Sequence, residues 1–524
     1  MKASDLLVEC LENEGVEYVF GIPGEELEDV LFSIRDSDIE FIPVRHEQGA
    51  AFMADVHGRV TGRAGVCLST LGPGATNLLT GVADAHLDKS PLVAITGQAG
   101  LERLHKESHQ TLDIVHTYRS VTKWNAQLSD PEIINESVRK AFKLAEYEKP
   151  GATHLEFPEN VAGEETDSQP LEPREQVRRP APDQKSVERA TELLENAEHP
   201  LVIAGNGAVR TRSANSLREF VSETAVPVAG TYMGKGALSD ENDHSLFTLD
   251  SGENGESADA LSRADCVLAV GYDIAEHDPE KWNPNLDKKI IHLDHEPAEV
   301  YEHYNPDVEI VCDVSAGLDA LLGEVEFSCP DAWYRDQREA LVEQTTSTPD
   351  ESDPVTVRNI MPVLREAMAD EDVLISDVGS HKMAIAQAFP TYEPNSVIIS
   401  NGLASMGIAV PGGISADLAV DSNVVVATGD GGFLMNAAEI ETATRLGCGY
   451  TIVVFNDSEY RLITEEQEED RKEHYGTELT NPDFVAFAES FGIDAVRAES
   501  WDEIGDTLNS AVESDEMTLV EIPM

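Results

Sequence analysis

The sequence predicts an α/β protein of three domains, each built on a doubly wound parallel sheet. Three observations favour this fold class. Short apolar, β-branched runs alternate along the chain with segments of helical period, which is typical of parallel α/β layers. Two polar stretches interrupt this alternation. The length of 524 residues also suits about three domains of ordinary size.

The individual elements follow from these runs. Residues 1–14 alternate acidic and apolar side chains and predict an amphipathic helix, and residues 49–60 predict a second helix after a strand-like run at 40–44. Apolar runs bounded by turn residues predict ten strands. These strands are expected at residues 18–20, 65–69, 92–96, 154–157, 200–204, 266–270, 289–293, 372–376, 424–428 and 450–455.

The two polar stretches are expected to be linkers. Residues 164–185 are rich in Pro, Glu, Gln and Arg, and residues 345–354 are rich in Thr, Ser and Pro. Neither stretch shows apolar periodicity. The expected domains are therefore residues 1–165, 186–326 and 350–524.

The charge excludes two classes of partner. The chain has 37 Lys and Arg against 99 Asp and Glu, a formal net charge of −62. Binding to nucleic acid or to anionic lipid requires clusters of basic residues, so we expect neither. With 41% hydrophobic residues the chain is globular and not disordered. The charge predicts an enzyme that works in very high salt, and an acidic surface for a basic partner is the alternative.

The expected location is the cytoplasm. The six cysteines are dispersed without a Cys-x-x-Cys pair, which fits buried thiols in a reducing compartment. The N-terminus lacks the basic start and the apolar core of a signal peptide. No run of 18 uncharged apolar residues is long enough to span a membrane.

A glycine turn with one carboxylate follows the predicted strand at 424–428. The sequence Gly429-Asp430-Gly431-Gly432 lies there, with a helix expected from Asn436. Turns at the carboxyl edge of a parallel sheet hold ligands, and glycines let the backbone approach phosphate oxygens. Asp430 could hold a divalent cation that bridges two phosphates. An ordinary strand-to-helix turn is the alternative.

A second polar cluster strengthens the prediction of a cation site at Asp430. Twenty-four residues after Gly431, the strand at 450–455 ends in Asn456-Asp457-Ser458-Glu459. Two neighbouring strand ends would then present Asp430, Asp457 and amide oxygens to one point, and Mg²⁺ prefers oxygen ligands shared with phosphates. The alternative is an Asx turn at the end of a strand.

The spacing of these two motifs resembles the signature of thiamine-diphosphate-dependent enzymes. The resemblance covers essentially the whole chain, and within the family it looks closest to the acetolactate synthases of the flavin-free, catabolic type. By this resemblance the three domains are a pyrimidine-binding, a central and a diphosphate-binding domain. The remaining matching motifs occur at residues 20–24, 45–48, 72–77, 109–113, 271–273, 282–283, 377–381, 400–407, 431–434 and 488–492.

The resemblance implies a role for each candidate residue. Glu47, otherwise an ordinary carboxylate at a helix start, would hydrogen-bond the aminopyrimidine ring and promote formation of the ylid. Met406, otherwise a core residue, would hold the cofactor bent. His109 and Gln110, otherwise solvent-facing, would lie near the reacting carbon. The metal ligands would be Asp430, Asp457 and the carbonyl of Glu459, and the other cofactor-binding residues would be Gly24, Asn77, Gly379, Ser380, His381, Ser405, Gly429, Gly431 and Gly432.

The central domain carries a glycine-rich turn of its own. Residues 204–208 follow a predicted strand and suggest dinucleotide binding, but the third spaced glycine is missing. Residues 271–276 stand where flavin-containing synthases carry a basic run. The sequence therefore favours an enzyme without FAD and leaves FAD open as a cofactor. Residues 230–236 look like a P-loop only superficially and are expected to form a turn.

Three departures from the family pattern bear on the substrate. Glu25 and Glu26 stand where a lysine could attract a carboxylate substrate, and Glu466 replaces a glutamine. The chain ends at Met524, before the expected C-terminal tail. The acidic residues Glu25, Glu26 and Glu466 are compatible with the general acidity of the chain. They are also compatible with a member of the family that acts on another 2-oxo acid.

The sequence thus predicts an acetolactate synthase-like carboligase that uses thiamine diphosphate and Mg²⁺. It would decarboxylate pyruvate and transfer the hydroxyethyl unit to a second 2-oxo acid, giving 2-acetolactate. A homodimer is the expected minimum unit, with a homotetramer and a regulatory subunit left open. The alternatives are another decarboxylase or carboligase of the family, a non-catalytic paralogue that binds the cofactor, and an acidic interaction protein.

Overall fold

The structure is a computed structural model that describes residues 1–173, 179–249 and 255–524. The first six strands form one parallel sheet with the order β2-β1-β3-β4-β6-β5. These strands are β1 Tyr18–Gly21, β2 Glu40–Pro43, β3 Gly65–Ser69, β4 Leu92–Gln98, β5 Trp124–Gln127 and β6 Ala152–Pro158. The helices around them are α1 Ala3–Glu14, α2 Glu28–Arg35, α3 Glu47–Thr61, α4 Pro73–Leu87, α5 Ile114–Tyr118, α6 Ile134–Glu146 and α7 Glu159–Ala162.

The second sheet is also parallel and has the order β12-β11-β10-β7-β8-β9. Its strands are β7 Pro200–Ala204, β8 Val228–Gly230, β9 Ser245–Thr248, β10 Cys266–Val270, β11 Lys289–Asp294 and β12 Val308–Val311. The helices of this part are α8 Gln184–Glu195, α9 Thr211–Thr224, α10 Glu256–Arg263, α11 Pro279–Trp282, α12 Val314–Glu324 and α13 Arg335–Thr346.

The third sheet repeats the strand order of the first, as β14-β13-β15-β16-β18-β17. Its strands are β13 Val373–Ser376, β14 Val397–Ile399, β15 Val424–Gly429, β16 Thr451–Asn456, β17 Asp494–Arg497 and β18 Thr518–Pro523. The helices are α14 Val357–Ala367, α15 Ser380–Ala388, α16 Ala409–Ala419, α17 Asp430–Asn436, α18 Ile440–Leu446, α19 Arg461–Arg471, α20 Phe484–Glu489 and α21 Trp501–Val512.

The predicted fold class is confirmed, and all ten predicted strands occur within two residues of their expected ends. One expectation was wrong. The helix after the glycine turn begins at Asp430 and not at Asn436. Gly429 is its N-cap, and an acidic residue in the first turn is favourable there, so the two following glycines are tolerated as helical residues.

The described residues between α7 and α8, and those between α13 and α14, contain no helix. Residues 174–178 lie outside the described residues. No helix in the described part of the chain is long and apolar enough to cross a membrane. All six cysteines are buried free thiols.

One continuous apolar core joins the first and third sheets. Helix α3 of the first sheet packs on α16 of the third, and α4 packs on α3. The approach is close, because a Cβ atom on Gly412 would lie 2.9 Å from Cγ2 of Val56. The outer faces of these two sheets and the second sheet have separate cores. The first and third sheets are therefore held in a fixed orientation.

Candidate active site

Two neighbouring strand ends of the third sheet bring the predicted oxygen ligands together. Strands β15 and β16 are paired with Gly429 opposite Phe455, so Asp430 and Asn456 follow at adjacent positions. Asp430 opens α17, and the chain after Asn456 turns at Ser458, whose φ is +61°. Burial, followed by the charge of Asp457, raises the pKa of Asp430.

Asn481 completes this cluster. Its Nδ2 atom donates to the carboxylate of Asp430 and, at 2.9 Å, to Oδ1 of Asn456. The described residues contain no group of three or more His, Cys, Asp or Glu side chains placed to hold a metal. The cluster instead combines two carboxylates with amide oxygens, which is a donor set that Mg²⁺ accepts. Sequence reasoning missed Asn481, since a single Asn in a polar segment carries no signal.

A basic side chain lies against the same cluster. Nε of Arg461 donates to Oδ2 of Asp457 at 2.8 Å, and its NH2 lies 2.8 Å from Oε1 of Glu459. The second carboxyl oxygen of Glu459 accepts from the hydroxyl of Thr464 at 2.9 Å. The Glu459 side chain is therefore occupied, which leaves its backbone carbonyl as the group that could face a cation.

A cavity of about 560 Å³ opens beside these residues. Its lining includes nearly all of the predicted cofactor-binding residues of the third domain, namely Gly379, Ser380, His381, Met406, Gly429, Gly431 and Gly432. Ser405 is absent from that lining, and its N–H donates to Oγ of Ser400 at 3.2 Å. The predicted diphosphate residues thus line one space with the oxygen cluster.

The floor of the cavity favours an anion that accepts hydrogen bonds. Helices α15 and α17 both begin there, so the positive ends of two helix dipoles face it. His381 is buried, its Nε2 has no hydrogen-bond partner among the described residues, and burial lowers its pKa to about 4. A buried imidazole nitrogen without a partner indicates a polar ligand at this point.

Asp377 fixes the loop that carries Met406. Its buried carboxylate accepts the N–H groups of Gly407 at 2.8 Å and of Ala409 at 3.2 Å. Burial raises the pKa of Asp377. The side chain also packs on Gly432, where a Cβ atom would lie 2.8 Å from Oδ1. One carboxylate therefore ties the Met406 loop to the glycine turn.

The remaining predicted residues gather at the carboxyl edge of the first sheet. Glu47 is the first residue of α3, is 8% exposed, and accepts a hydrogen bond from Nδ2 of Asn77 at 2.9 Å. A Cβ atom on Gly74 would lie 3.2 Å from its Oε1, so the helix start of α4 closes over the carboxyl group. Glu47 is thus held in place within an edge where ligands bind.

Gly24 and Gln110 lie at the same edge. A Cβ atom on Gly24 would lie 2.4 Å from the side chain of Thr70, and the carbonyl oxygen of Gln110 lies close to Gly72. His109 and Gln110 are both exposed, and Gln110 has a φ of +56°. No hydrogen bond between the described residues joins either of them to Glu47.

The three acidic residues that depart from the family pattern, Glu25, Glu26 and Glu466, do not lie together. Glu26 accepts from the hydroxyl of Thr70 at 2.7 Å, and Glu25 lines an open groove with Gly24. Both therefore flank the first-sheet residues. Glu466 is exposed on α19 and does not line the cavity, whereas Glu465 does.

Glu439 was missed by sequence reasoning and supports Glu47 from the third domain. Its buried carboxylate accepts the N–H groups of Arg45 and His46, each at 3.0 Å, and the hydroxyl of Thr442 at 2.7 Å. Burial raises the pKa of Glu439. Gly49 leaves room for it, because a Cβ atom there would lie 2.7 Å from Oε1.

The first-domain residues around Glu47 and the third-domain residues that line the cavity lie apart within one chain. Glu47 stands at the start of α3 beside Glu439, and Arg59 near the end of α3 donates to the carbonyl of Ile399 at 2.8 Å. Ile399 ends β14, at the carboxyl edge of the third sheet. The helix rises about 18 Å between Glu47 and Arg59. No residue of the first domain lines the described cavity.

Comparison with known proteins agrees with this arrangement. The thiamine pyrophosphate enzyme models match the N-terminal TPP binding domain at residues 1–117, the central domain at 187–321 and the C-terminal TPP binding domain at 377–522. The chain belongs to the thiamine pyrophosphate enzyme family. Thiamine pyrophosphate is another name for thiamine diphosphate, and the anion-favouring cavity floor and the oxygen cluster fit its charged end.

Several proteins that are similar to the chain along its full length are named acetolactate synthases. The acetolactate synthase of Bacillus subtilis is 33% identical over 100% of this chain and 93% of its own length. The probable large subunit from Methanocaldococcus jannaschii is 33% identical over 100% and 92%. The catabolic acetolactate synthase of Raoultella terrigena is 31% identical over 99% and 94%.

The ion pair of Arg461 generates a prediction. Because the guanidinium competes with a cation for Asp457, we expect Arg461→Gln to lower the Mg²⁺ concentration for half-maximal cofactor binding, by roughly two- to five-fold at low salt for an exposed pair. Titration of Mg²⁺ at fixed cofactor, followed by calorimetry, measures this value. Molar KCl should reduce the difference by screening.

Arg445→Gln is the matched control, since Arg445 forms a similar i,i+4 pair with Glu441 outside the cavity. It should leave the metal requirement unchanged. An unchanged requirement in Arg461→Gln, or an equal change in both variants, would contradict the competition.

Proposed function

We propose that the protein is an acetolactate synthase-like carboligase that converts two molecules of pyruvate into 2-acetolactate and CO₂. One observation carries the proposal. A buried glutamate at the start of α3 is positioned by Asn77 and Glu439, and a separate cavity combines an oxygen cluster with two helix N-termini. The full-length similarity to proteins named acetolactate synthase supports this choice within the family.

Thiamine diphosphate, when bound, supplies a nucleophilic carbon and an electron sink for decarboxylation. Asp430, Asp457 and the carbonyl of Glu459 would hold Mg²⁺ against the diphosphate. Gly379, Ser380, His381 and the turn at Gly429, Gly431 and Gly432 would bind its phosphate oxygens, and Met406 with Ser405 would shape the cavity wall. These roles agree with the burial and contacts of the third-domain residues.

The first domain would supply the proton chemistry. Glu47 would hold a proton at the ring nitrogen of the aminopyrimidine, with Asn77 fixing the orientation of its carboxyl group. Gly24 would let the ring approach the backbone. His109 and Gln110 are exposed at this edge and would donate hydrogen bonds to the oxygen of the reacting 2-oxo acid.

A homodimer is the proposed minimum unit. Glu47 does not line the cavity that contains the oxygen cluster, so an active site that combines both would need the first domain of a second copy. Large apolar side chains are exposed near both parts of the site, with Leu112 following Gln110 in the first and Leu403, Leu434 and Met435 near the third-sheet cavity. Assembly into a tetramer or with a regulatory subunit is compatible with this unit.

Several finer features belong to the same proposal. We place the domains at residues 1–165, 186–326 and 350–524, each around one of the three sheets. The enzyme would be of the catabolic type, would need no FAD, and would work in the cytoplasm, where its six buried thiols stay reduced.

A different 2-oxo acid is the second candidate. Glu25 and Glu26 flank the first-domain residues, and their charge would disfavour a small carboxylate substrate. A cofactor-binding paralogue without catalysis is disfavoured by Glu47, which is present and supported by hydrogen bonds.

Replacing the carboxylate of Glu47 tests the catalytic proposal. We expect Glu47→Gln to lower pyruvate turnover by at least about 100-fold, because proton transfer is lost, while Mg²⁺-dependent cofactor binding persists. Turnover and products are measured by mass spectrometry in molar KCl, and binding by calorimetry. Glu40→Gln, at the exposed start of β2, is the control and should behave as the wild type.

Acetolactate from the wild type supports the carboligase, whereas acetaldehyde alone would indicate a simple decarboxylase. Full activity of Glu47→Gln would contradict the assigned role. Cofactor binding by the wild type without any turnover of pyruvate would favour another substrate.

The charge of −62 leads us to propose a halophilic enzyme. Repulsion among exposed carboxylates acts over about 30 Å at 0.01 M salt and about 3 Å at 1 M. We therefore expect the melting temperature and the activity to rise steeply with KCl up to molar concentrations. Sucrose, which is excluded from the surface but does not screen charge, should fail to replace KCl for activity at low ionic strength. Full activity in salt-free buffer would contradict halophily.

A further inference from the structure

The central sheet has the strand order of a dinucleotide-binding fold. Counted from β7 as the first strand, its six strands lie in the order 3-2-1-4-5-6. In such sheets the ligand binds beyond the carboxyl ends of strands 1 and 4, where the direction of winding reverses. In this protein that crevice lies between the ends of β7 and β10. It is formed by residues 205–208 and residues 271–276.

The glycines of this crevice serve contacts between backbone segments. A Cβ atom on Gly205 would lie 2.5 Å from the carbonyl oxygen of Gly271, and one on Gly207 would lie 2.6 Å from Cα of Gly271. The N–H of Gly207 donates to that same carbonyl at 2.8 Å. A Cβ atom on Gly234 would lie 1.8 Å from the carbonyl oxygen of Ala204. The space that these glycines leave is thus filled by the chain itself.

The donors of the crevice are also occupied. The carboxyl group of Glu276 accepts the N–H of Asn206 at 3.0 Å and the N–H of Asp273 at 3.2 Å. It also accepts the hydroxyl of Thr231 at 2.5 Å. Burial, followed by the charge of Asp273, raises the pKa of Glu276, whereas its three hydrogen bonds act in the opposite direction.

We infer that Glu276 occupies the phosphate position of this crevice, so that the central domain binds no nucleotide cofactor, FAD included. The N–H of Asn206 follows the first glycine of the turn, where a dinucleotide's pyrophosphate is bound in this kind of fold. Glu276 uses this donor together with donors from two other loops. A nucleotide phosphate would have to displace the carboxyl group and leave it buried without partners.

The cavity next to the crevice has a volume of about 290 Å³ and includes Asn206 and Arg210 in its lining, but none of residues 271–276. A site for a small-molecule cofactor usually has about 300–1,000 Å³. Residues 250–254, which follow β9, lie outside the described residues.

Removing the carboxyl group tests the inference. Glu276→Ala leaves three donors without an acceptor, so we expect a lower melting temperature that inorganic phosphate or ADP restores in a saturable way. The wild type should show no saturable shift with phosphate, ADP or FAD. Scanning fluorimetry at constant ionic strength, balanced with KCl, measures the shifts, and calorimetry measures ADP and FAD binding.

Two further variants complete the test. Glu280→Ala removes a nearby exposed acid on α11 and should respond as the wild type. Glu276→Gln keeps an acceptor oxygen and provides a folded variant if the alanine variant is unstable, with a weaker phosphate response. Binding of ADP or FAD by the wild type would overturn the inference. So would the absence of a phosphate response in Glu276→Ala and Glu276→Gln.

Discussion

The packing of α3 against α16 is the constraint on which the site depends. Val56 contacts Gly412 in the middle of this contact, and a polar anchor lies at each end. Glu439 binds the N–H groups before Glu47 at one end, and Arg59 reaches the carbonyl of Ile399 at the other. Both anchors join the first and third sheets and oppose a rotation of one sheet relative to the other. The proposed completion of the site by a second copy rests on this packing.

Buried charge makes the contact specific. Arg59 lies among three carboxylates, which are Asp55, Asp84 and Asp88, at 2.8 to 3.2 Å. Burial and its acidic neighbours raise the pKa of Asp84 well above the usual range. Removing one partner from such a buried group costs about 3–5 kcal/mol, so a shifted packing of the two domains is strongly disfavoured. Two of these carboxylates also reach the third domain, where Asp84 accepts the hydroxyl of Ser400 at 2.7 Å and Asp88 accepts the N–H of Asn401 at 3.0 Å.

Strands and site residues that depend on local sequence patterns could be predicted from the sequence. Residues whose role depends on contacts between distant parts of the chain could not. The buried strands and the adjacency of Asp430 and Asn456 follow from apolar runs and from the parallel order of β15 and β16. Seven of the strands in the described residues were not predicted. Five of them are sheet edges with short apolar runs, namely β5, β9, β12, β14 and β17, whereas β8 and β18 lie inside their sheets. Glu439 and Asn481 act on residues 394 and 51 positions away, so no local pattern marks them. The role of Glu276 likewise appears only when three loops meet.

Mixing two inactive variants tests the shared site most directly. Glu47→Gln and Asp430→Asn damage opposite parts of the site, so a mixed dimer contains one site in which both parts are intact. With random pairing of co-expressed chains, half of the dimers are mixed, and we expect about a quarter of wild-type turnover of pyruvate. Each variant alone should be inactive. A mixture as inactive as its two parents, with mixed dimers verified by mass spectrometry, would contradict an active site built from two chains.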